Sequence, residues 1–229
     1  MILDMSIPFF IFQSELQAIA AEASKYRDRE TGGDLYGLWT AQGIPVVYLA
    51  VGPGARATGK HAEYEMDIDY MMRCERILGS RYGIHYLGDW HSHHNLMLTH
   101  PSPGDQSRIQ GLLVRNDFSF MAEVIVTHVA ETRSPYERMD AYVYSRDTMR
   151  ASPIRMLESE MSPIRELLLD NRYRKEMNLG SVRFPPDRIV INGQPSNSES
   201  RYALETEDKP PKVEGRKPKL SDKTIRLDL

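Results

Sequence analysis

At 229 residues the chain can form one sizeable α/β domain with an appendage, or two small domains. Its 41% of apolar residues calls for a packed core, and a formal net charge of −3 gives no general pull toward nucleic acid or an anionic membrane. A single cysteine, Cys74, excludes an internal disulfide and any multi-cysteine zinc site.

The first ten residues lack the basic start and long apolar run of a secretory signal, and no stretch nears the roughly 20 apolar residues that span a bilayer. The expectation is a soluble cytoplasmic protein with neither membrane nor nucleic acid as partner. Residues 8–12 read as an opening strand, after which Ser14 is placed as the N-cap of a helix over 15–26 carrying Leu16, Ile19, Ala20 and Ala23. A polar turn through Glu30-Thr31-Gly32-Gly33 leads into strands over 35–39 and 44–51, joined tightly through Gly43 as an antiparallel hairpin. Residues 52–59 read as a flexible loop. Ile68, Met71, Met72 and Ile77 then mark a helix over 66–78. Strand formers fill 82–91, and Ser102-Pro103-Gly104-Asp105 opens a helix running to about Arg115. Residues 118–127 and 141–144 read as further strands, and 164–177 as a final helix. The hairpin rules out an all-parallel sheet, so the pattern predicts an α/β protein with a mixed sheet sandwiched by helices. From about Ser196 the chain is rich in Lys, Glu, Pro and Ser, which predicts a mostly disordered tail.

Three local features bear chemistry. His91-Ser92-His93 ends a predicted strand, and residues i and i+2 of a strand point to one side, so both imidazoles can converge on a metal ion. Two exposed loop histidines would be the plain alternative. Ser102-Pro103-Gly104-Asp105 is fully explained as a helix start of the capping-box kind. A carboxylate in that first turn, just after the paired histidines, is also placed to be a third ligand, leaving an open fourth position of the catalytic zinc pattern. Glu30 taken alone is an ordinary surface charge. Zinc peptidases, however, need a carboxylate beside the attacking water, and Gly32-Gly33 would let the backbone approach a neighbouring strand.

Taken together these residues resemble the JAMM (MPN-plus) metalloproteases, over roughly residues 8 to 150. An upstream Glu30, then His91-Ser92-His93, then Ser102-Pro-Gly-Asp105 match that family's pattern in order and type. Glu30-Thr-Gly-Gly with Leu35-Tyr-Gly37, and Gly88-Asp-Trp-His-Ser-His, match the surroundings. The resemblance implies one Zn2+ per chain on His91, His93 and Asp105, with Glu30 as general acid/base and Ser102 helping to stabilise the oxyanion. It implies an α/β/α sandwich around a mixed, curved sheet, with the metallopeptidase domain over 8–180 and an extension over 181–229. It implies isopeptidase action on a ubiquitin-like protein or its conjugate, with E1- and E2-like enzymes of the same system as partners, as in bacterial members. Trimming a sulfur-carrier precursor is the alternative substrate. The loop from His94 to Pro101 is one residue longer than the family's commonest spacing, a change that loop-closure entropy barely registers.

A silent MPN scaffold is the rival of a different class, and retention of all five positions argues against it. A metallo-β-lactamase-like site would need an Asp where Asn95 stands, and a 2-His-1-carboxylate iron oxygenase would need another scaffold. Cys74 reads as a small core residue. His61, His85 and His128 lack metal spacing, whereas His94 and His100 stay open as residues of the cleft-side loop.

Overall fold

The computed structural model describes residues 7–60, 63–93, 98–130, 135–180, 182–196 and 201–202. In chain order it contains β1 (Phe9–Ile11), α1 (Gln13–Ala23), β2 (Gly32–Trp39), β3 (Pro45–Ala50), β4 (Thr58–Lys60), β5 (Glu63–Glu65), α2 (Ile68–Tyr82) and β6 (His85–Ser92). Then come α3 (Pro103–Arg115), β7 (Met121–Val129), β8 (Tyr136–Tyr144), β9 (Met149–Ser152), β10 (Ile154–Leu157), α4 (Pro163–Leu169) and α5 (Tyr173–Glu176). A 3-10 turn (Pro186–Arg188) precedes β11 (Ile189–Ile191), β12 (Gln194–Pro195) and β13 (Arg201–Tyr202).

Eleven of the described strands form one mixed sheet in the order β12-β11-β8-β7-β6-β2-β3-β1-β10-β13, with β9 pairing on β8. The expected hairpin is present: β2 and β3 run antiparallel, and the turn closes through Gly43 at φ +73°. A Cβ there would also meet the Phe120 ring at 2.9 Å, so both conformation and space call for glycine. On its other side β2 pairs antiparallel with β6, and β6 pairs parallel with β7.

Side-chain alternation divides the sheet into two faces. One face buries Leu35, Val47, Leu87, Trp90, Val124 and Val126 against Leu16, Ile19, Ala20 and Ala23 of α1. The opposite face carries α2, whose Tyr70, Cys74, Ile77 and Leu78 pack on Tyr36, Leu49 and Val51. It also carries α3, whose Ile109 and Leu113 pack on Met121, Ile125, Tyr142 and Tyr144. Each fully buried Leu or Ile contributes about 1.5–3 kcal/mol, so these separate clusters anchor the two helices independently. Between them lies a cleft of about 810 Å³ with Tyr36, Tyr86, Asp89 and His91 along it. No described helix is long and apolar enough to cross a membrane.

Three expectations change. Ser14 is not an N-cap: α1 begins at Gln13 after Phe12, and the Ser14 hydroxyl donates to Glu15 Oε1 at 2.8 Å and accepts the Ser162 N–H at 3.0 Å. A long-range partner took the hydroxyl that a local cap would have used. The loop at 52–59 ends in β4, which forms an antiparallel ribbon with β5. The final helix is two pieces, because Asn171 accepts the Tyr173 N–H at 2.8 Å and donates to Leu167 O at 2.7 Å, which competes with helix continuation. Within the stretch read as a tail, β13 pairs parallel with β10, and buried Ser196 donates its hydroxyl to Pro186 O. His61, His94, Asn95 and residues 203–229 lie outside the described residues.

Candidate metal centre

Past an irregularity at Leu87-Gly88, β6 alternates as its sequence predicts. Trp90 turns into the α1 core, donating from Nε1 to Val51 O at 2.9 Å. Ser92 turns away from the cleft and accepts the Thr31 N–H at 3.0 Å. Asp89, His91 and His93 share the other side, and all three are buried. The i, i+2 spacing thus brings His91 Nε2 to 2.9 Å from His93 Nε2.

Asp105 comes from α3, as position N3 of a capping box. Ser102 Oγ accepts the Asp105 N–H at 3.2 Å, and Asp105 Oδ2 accepts both the Ser102 N–H at 2.8 Å and its hydroxyl at 2.6 Å. The helix-capping reading of this motif is therefore correct, and it does not compete with a metal role. The same bonds aim Asp105 Oδ1 and Oδ2 at His91 Nε2 and His93 Nε2, each at 3.4 Å.

These three residues offer ligand atoms lying within 4.8 Å of one another. Donors about 2.0–2.1 Å from a zinc ion stand about 3.3–3.4 Å apart on a tetrahedron, close to the two carboxylate spacings here. The histidine tautomers point the same way. His93 Nδ1 is 3.1 Å from Leu98 O, an acceptor, so that nitrogen carries the proton. His91 Nδ1 faces Glu123 Oε1 at 3.7 Å. With its proton on Nδ1, His93 presents an Nε2 lone pair toward His91 Nε2 and the Asp105 carboxylate at close range. That is a donor set for a cation.

Burial pulls the Asp105 carboxyl upward, but the two imidazoles beside it and its bonds from Ser102 more than offset this and hold it well below the usual range. Burial disfavours the charged form of His93, and Asp105 beside it reverses the balance, raising its pKa.

Glu30 lies at the entry to β2, 7% exposed, and lines the same cleft as His91, Ser102 and Asp105. Its neighbour Thr31 is tied to β6 on both sides, with the Ser92 N–H donating to Thr31 O at 2.8 Å. The paired glycines do allow close approach: a Cβ on Gly33 would stand 2.0 Å from Val51 O, and one on Gly32 would stand 2.6 Å from Trp90 O. Burial raises the Glu30 carboxyl to about 7, with His93 opposing and Asp105 adding to the rise.

The sequence reading missed a buried set behind His91. Arg108 of α3 holds Asp89 with two hydrogen bonds of 2.7 and 3.1 Å, and its Nη2 lies 3.5 Å from Glu123 Oε1. Tyr144 donates to Glu123 Oε2 at 2.5 Å. Signals existed: Glu123 is a lone charge within the apolar run 121–126, and Asp89 precedes His91 by two. Asp34, the cross-strand partner of Asp89, is buried too, and burial followed by the Asp89 charge pushes its carboxyl well up. Cys74 is a core residue as expected, its thiol pushed up to about 12 by burial. His85 and His128 pair with Glu75 and Glu137, whereas His100 is exposed.

No family model matches the chain. Over 108 residues it is 28% identical to a Sinorhizobium fredii protein named "Probable metalloprotease y4qB", a match covering 45% of this chain and 65% of that protein, just under two thirds of its length. That relative's name suggests peptidase activity and implies a metal, in keeping with the donor set of His91, His93 and Asp105. The solution structure of a Desulfitobacterium hafniense protein resembles the fold with a TM-score of 0.50 at 16% identity, covering 66% of this chain and 94% of that one. A Salinibacter ruber protein gives 0.44 at 19% identity, covering 67% and 94%.

Proposed function

We propose that this chain is a JAMM-type zinc metallopeptidase that cleaves the amide bond at the C-terminus of a ubiquitin-like protein, in a precursor or a conjugate. The observation that carries the reading is the convergence of His91 Nε2, His93 Nε2 and Asp105 within 2.9–3.4 Å, in the cleft that Glu30 also lines. The order of Glu30, His-x-His and Ser-x-x-Asp along the chain supports the JAMM subtype.

His91, His93 and Asp105 would hold the zinc, which supplies Lewis acidity toward water and the scissile carbonyl. Glu30, buried and poised near neutral pH, takes the proton from the attacking water and returns it to the departing amine. Ser102 fixes the Asp105 carboxylate through its N–H and hydroxyl. Turned outward, the same hydroxyl would donate to the oxyanion of the tetrahedral intermediate. Small residues, ideally Gly-Gly, suit the substrate's end, because a bulky side chain would hold the carbonyl away from the site.

The test is zinc content and cleavage together. Wild type should carry about one zinc per chain and cleave a ubiquitin-like conjugate, and a chelator should abolish cleavage. Stoichiometric zinc in the His91→Ala, His93→Ala double variant would sink the assignment. Zinc-loaded protein that cleaves neither precursor nor conjugate would favour the scaffold.

A further inference from the structure

Glu123 sits in the middle of β7 and is wholly buried. Its Oε2 is spoken for by the Tyr144 hydroxyl. Its Oε1 accepts no hydrogen bond, although two donors face it: Arg108 Nη2 at 3.5 Å and His91 Nδ1 at 3.7 Å. Arg108 gives one N–H from each terminal nitrogen to Asp89 and keeps a second on Nη2 toward Glu123. The imidazole N–H of His91 is the second donor that can satisfy Oε1, from the side of the metal centre.

We propose that Glu123 is the positioning residue of His91: its Oε1 takes the Nδ1–H, fixes the ring's tautomer and leaves the Nε2 lone pair facing His93 and Asp105. The inference rests on the metal reading above and extends it one layer outward. Metal-binding histidines commonly give their second N–H to a carboxylate or a backbone carbonyl, which orients the ring and raises its basicity. Here the two histidines use one of each, Glu123 for His91 and Leu98 O for His93. The carboxylate is held in turn by Tyr144 from β8, one strand further from the site. Asp89, His91 and Glu123 also bring ligand atoms within 4.8 Å of one another, but the Arg108 guanidinium already supplies the positive charge among them.

The experiment measures zinc affinity by competition with a chromophoric chelator, for folded wild type, Glu123→Ala, Glu123→Gln and Tyr144→Phe. Metal-free melting temperatures run alongside, and long-range nitrogen–proton NMR of the imidazoles reports the tautomers. Affinity should fall about 10–100-fold in Glu123→Ala. Glu123→Gln, which keeps an acceptor, should recover part of it, and Tyr144→Phe should lose less than Glu123→Ala. In metal-free wild type the His91 proton should sit on Nδ1. Should Glu123→Ala not fold, the tautomer decides: a proton on Nε2 of His91 in metal-free wild type overturns the proposal. So does wild-type affinity in folded Glu123→Ala. If instead His91→Ala binds zinc as well as wild type, the metal reading itself has failed, and the tautomer still decides whether Glu123 holds the ring.

Discussion

Two of the buried charge networks among the described residues differ, one holding the fold and the other placed to do chemistry. Glu15 of α1 and Arg165 of α4 form a closed one. Arg165 Nε and Nη2 reach Glu15 at 2.8 and 2.6 Å, Nη2 also donates to Ala50 O, and Glu15 additionally accepts the Ala50 N–H and the Ser14 hydroxyl. The set around His91 is open. Glu123 Oε1 accepts no hydrogen bond, and Glu30 has burial without a compensating cation bonded to it. A saturated network fixes geometry, because every group would lose by moving. An unsaturated one keeps its electrostatic capacity for a partner that arrives later.

The sharpest way to break that contrast is to neutralise one carboxylate from each network. Glu15→Gln leaves Arg165 buried against a neutral amide, so unfolding free energy should fall by about 3–5 kcal/mol, read by denaturant titration. Zinc affinity of the remaining folded protein should not change. A loss below 1 kcal/mol would show that the closed network is not what anchors α4.

Glu30→Gln should act in the opposite sense on stability. The folded carboxyl titrates at about 7 against 4.5 for the unfolded one, so between those values folding takes up a proton. Metal-free wild type therefore loses stability as pH rises across that window, with the cost fully present above about 7. Removing the charge should make the metal-free protein more stable than wild type at pH 8 and lessen the fall in stability between pH 5 and 7, the buried Glu123 and Asp34 carboxyls keeping part of it. Zinc should remain bound, while turnover falls at least about a hundredfold, the usual share of a general acid–base group. Equal turnover at matched zinc content would take Glu30 out of the reaction.

The contrast also explains what could be read beforehand. Local rules carried the β2–β3 hairpin, the α3 start and the shared side of His91 and His93, since turn chemistry, capping and strand alternation are written in neighbouring residues. Glu15–Arg165 was invisible because its partners are 150 residues apart. Ser14 failed as a cap for the same reason, its hydroxyl being claimed by Ser162. Strands β9 to β13 went unread because most are short, and the apolar alternation in two to four residues is too brief to separate from loop. Glu123 left a signal, a single charge in an apolar run, but not the identity of what it faces.

Ser102 belongs to both sides of the contrast, and its removal should give the smallest change in stability. As N-cap of α3 it satisfies the Asp105 N–H, so Ser102→Ala should cost about 1 kcal/mol and Ser102→Gly only a few tenths, by thermal or denaturant unfolding. Neither variant can place a hydroxyl on Asp105 Oδ2, so both should weaken zinc binding to a similar extent. Measured at saturating zinc, turnover then separates two duties. If the hydroxyl only orients Asp105, saturation restores most of the activity in both variants. If it also donates to the oxyanion, both stay about 10²–10³-fold below wild type, with little regard to their difference in stability. Restored activity in Ser102→Gly at saturating zinc would confine Ser102 to capping and to holding its aspartate.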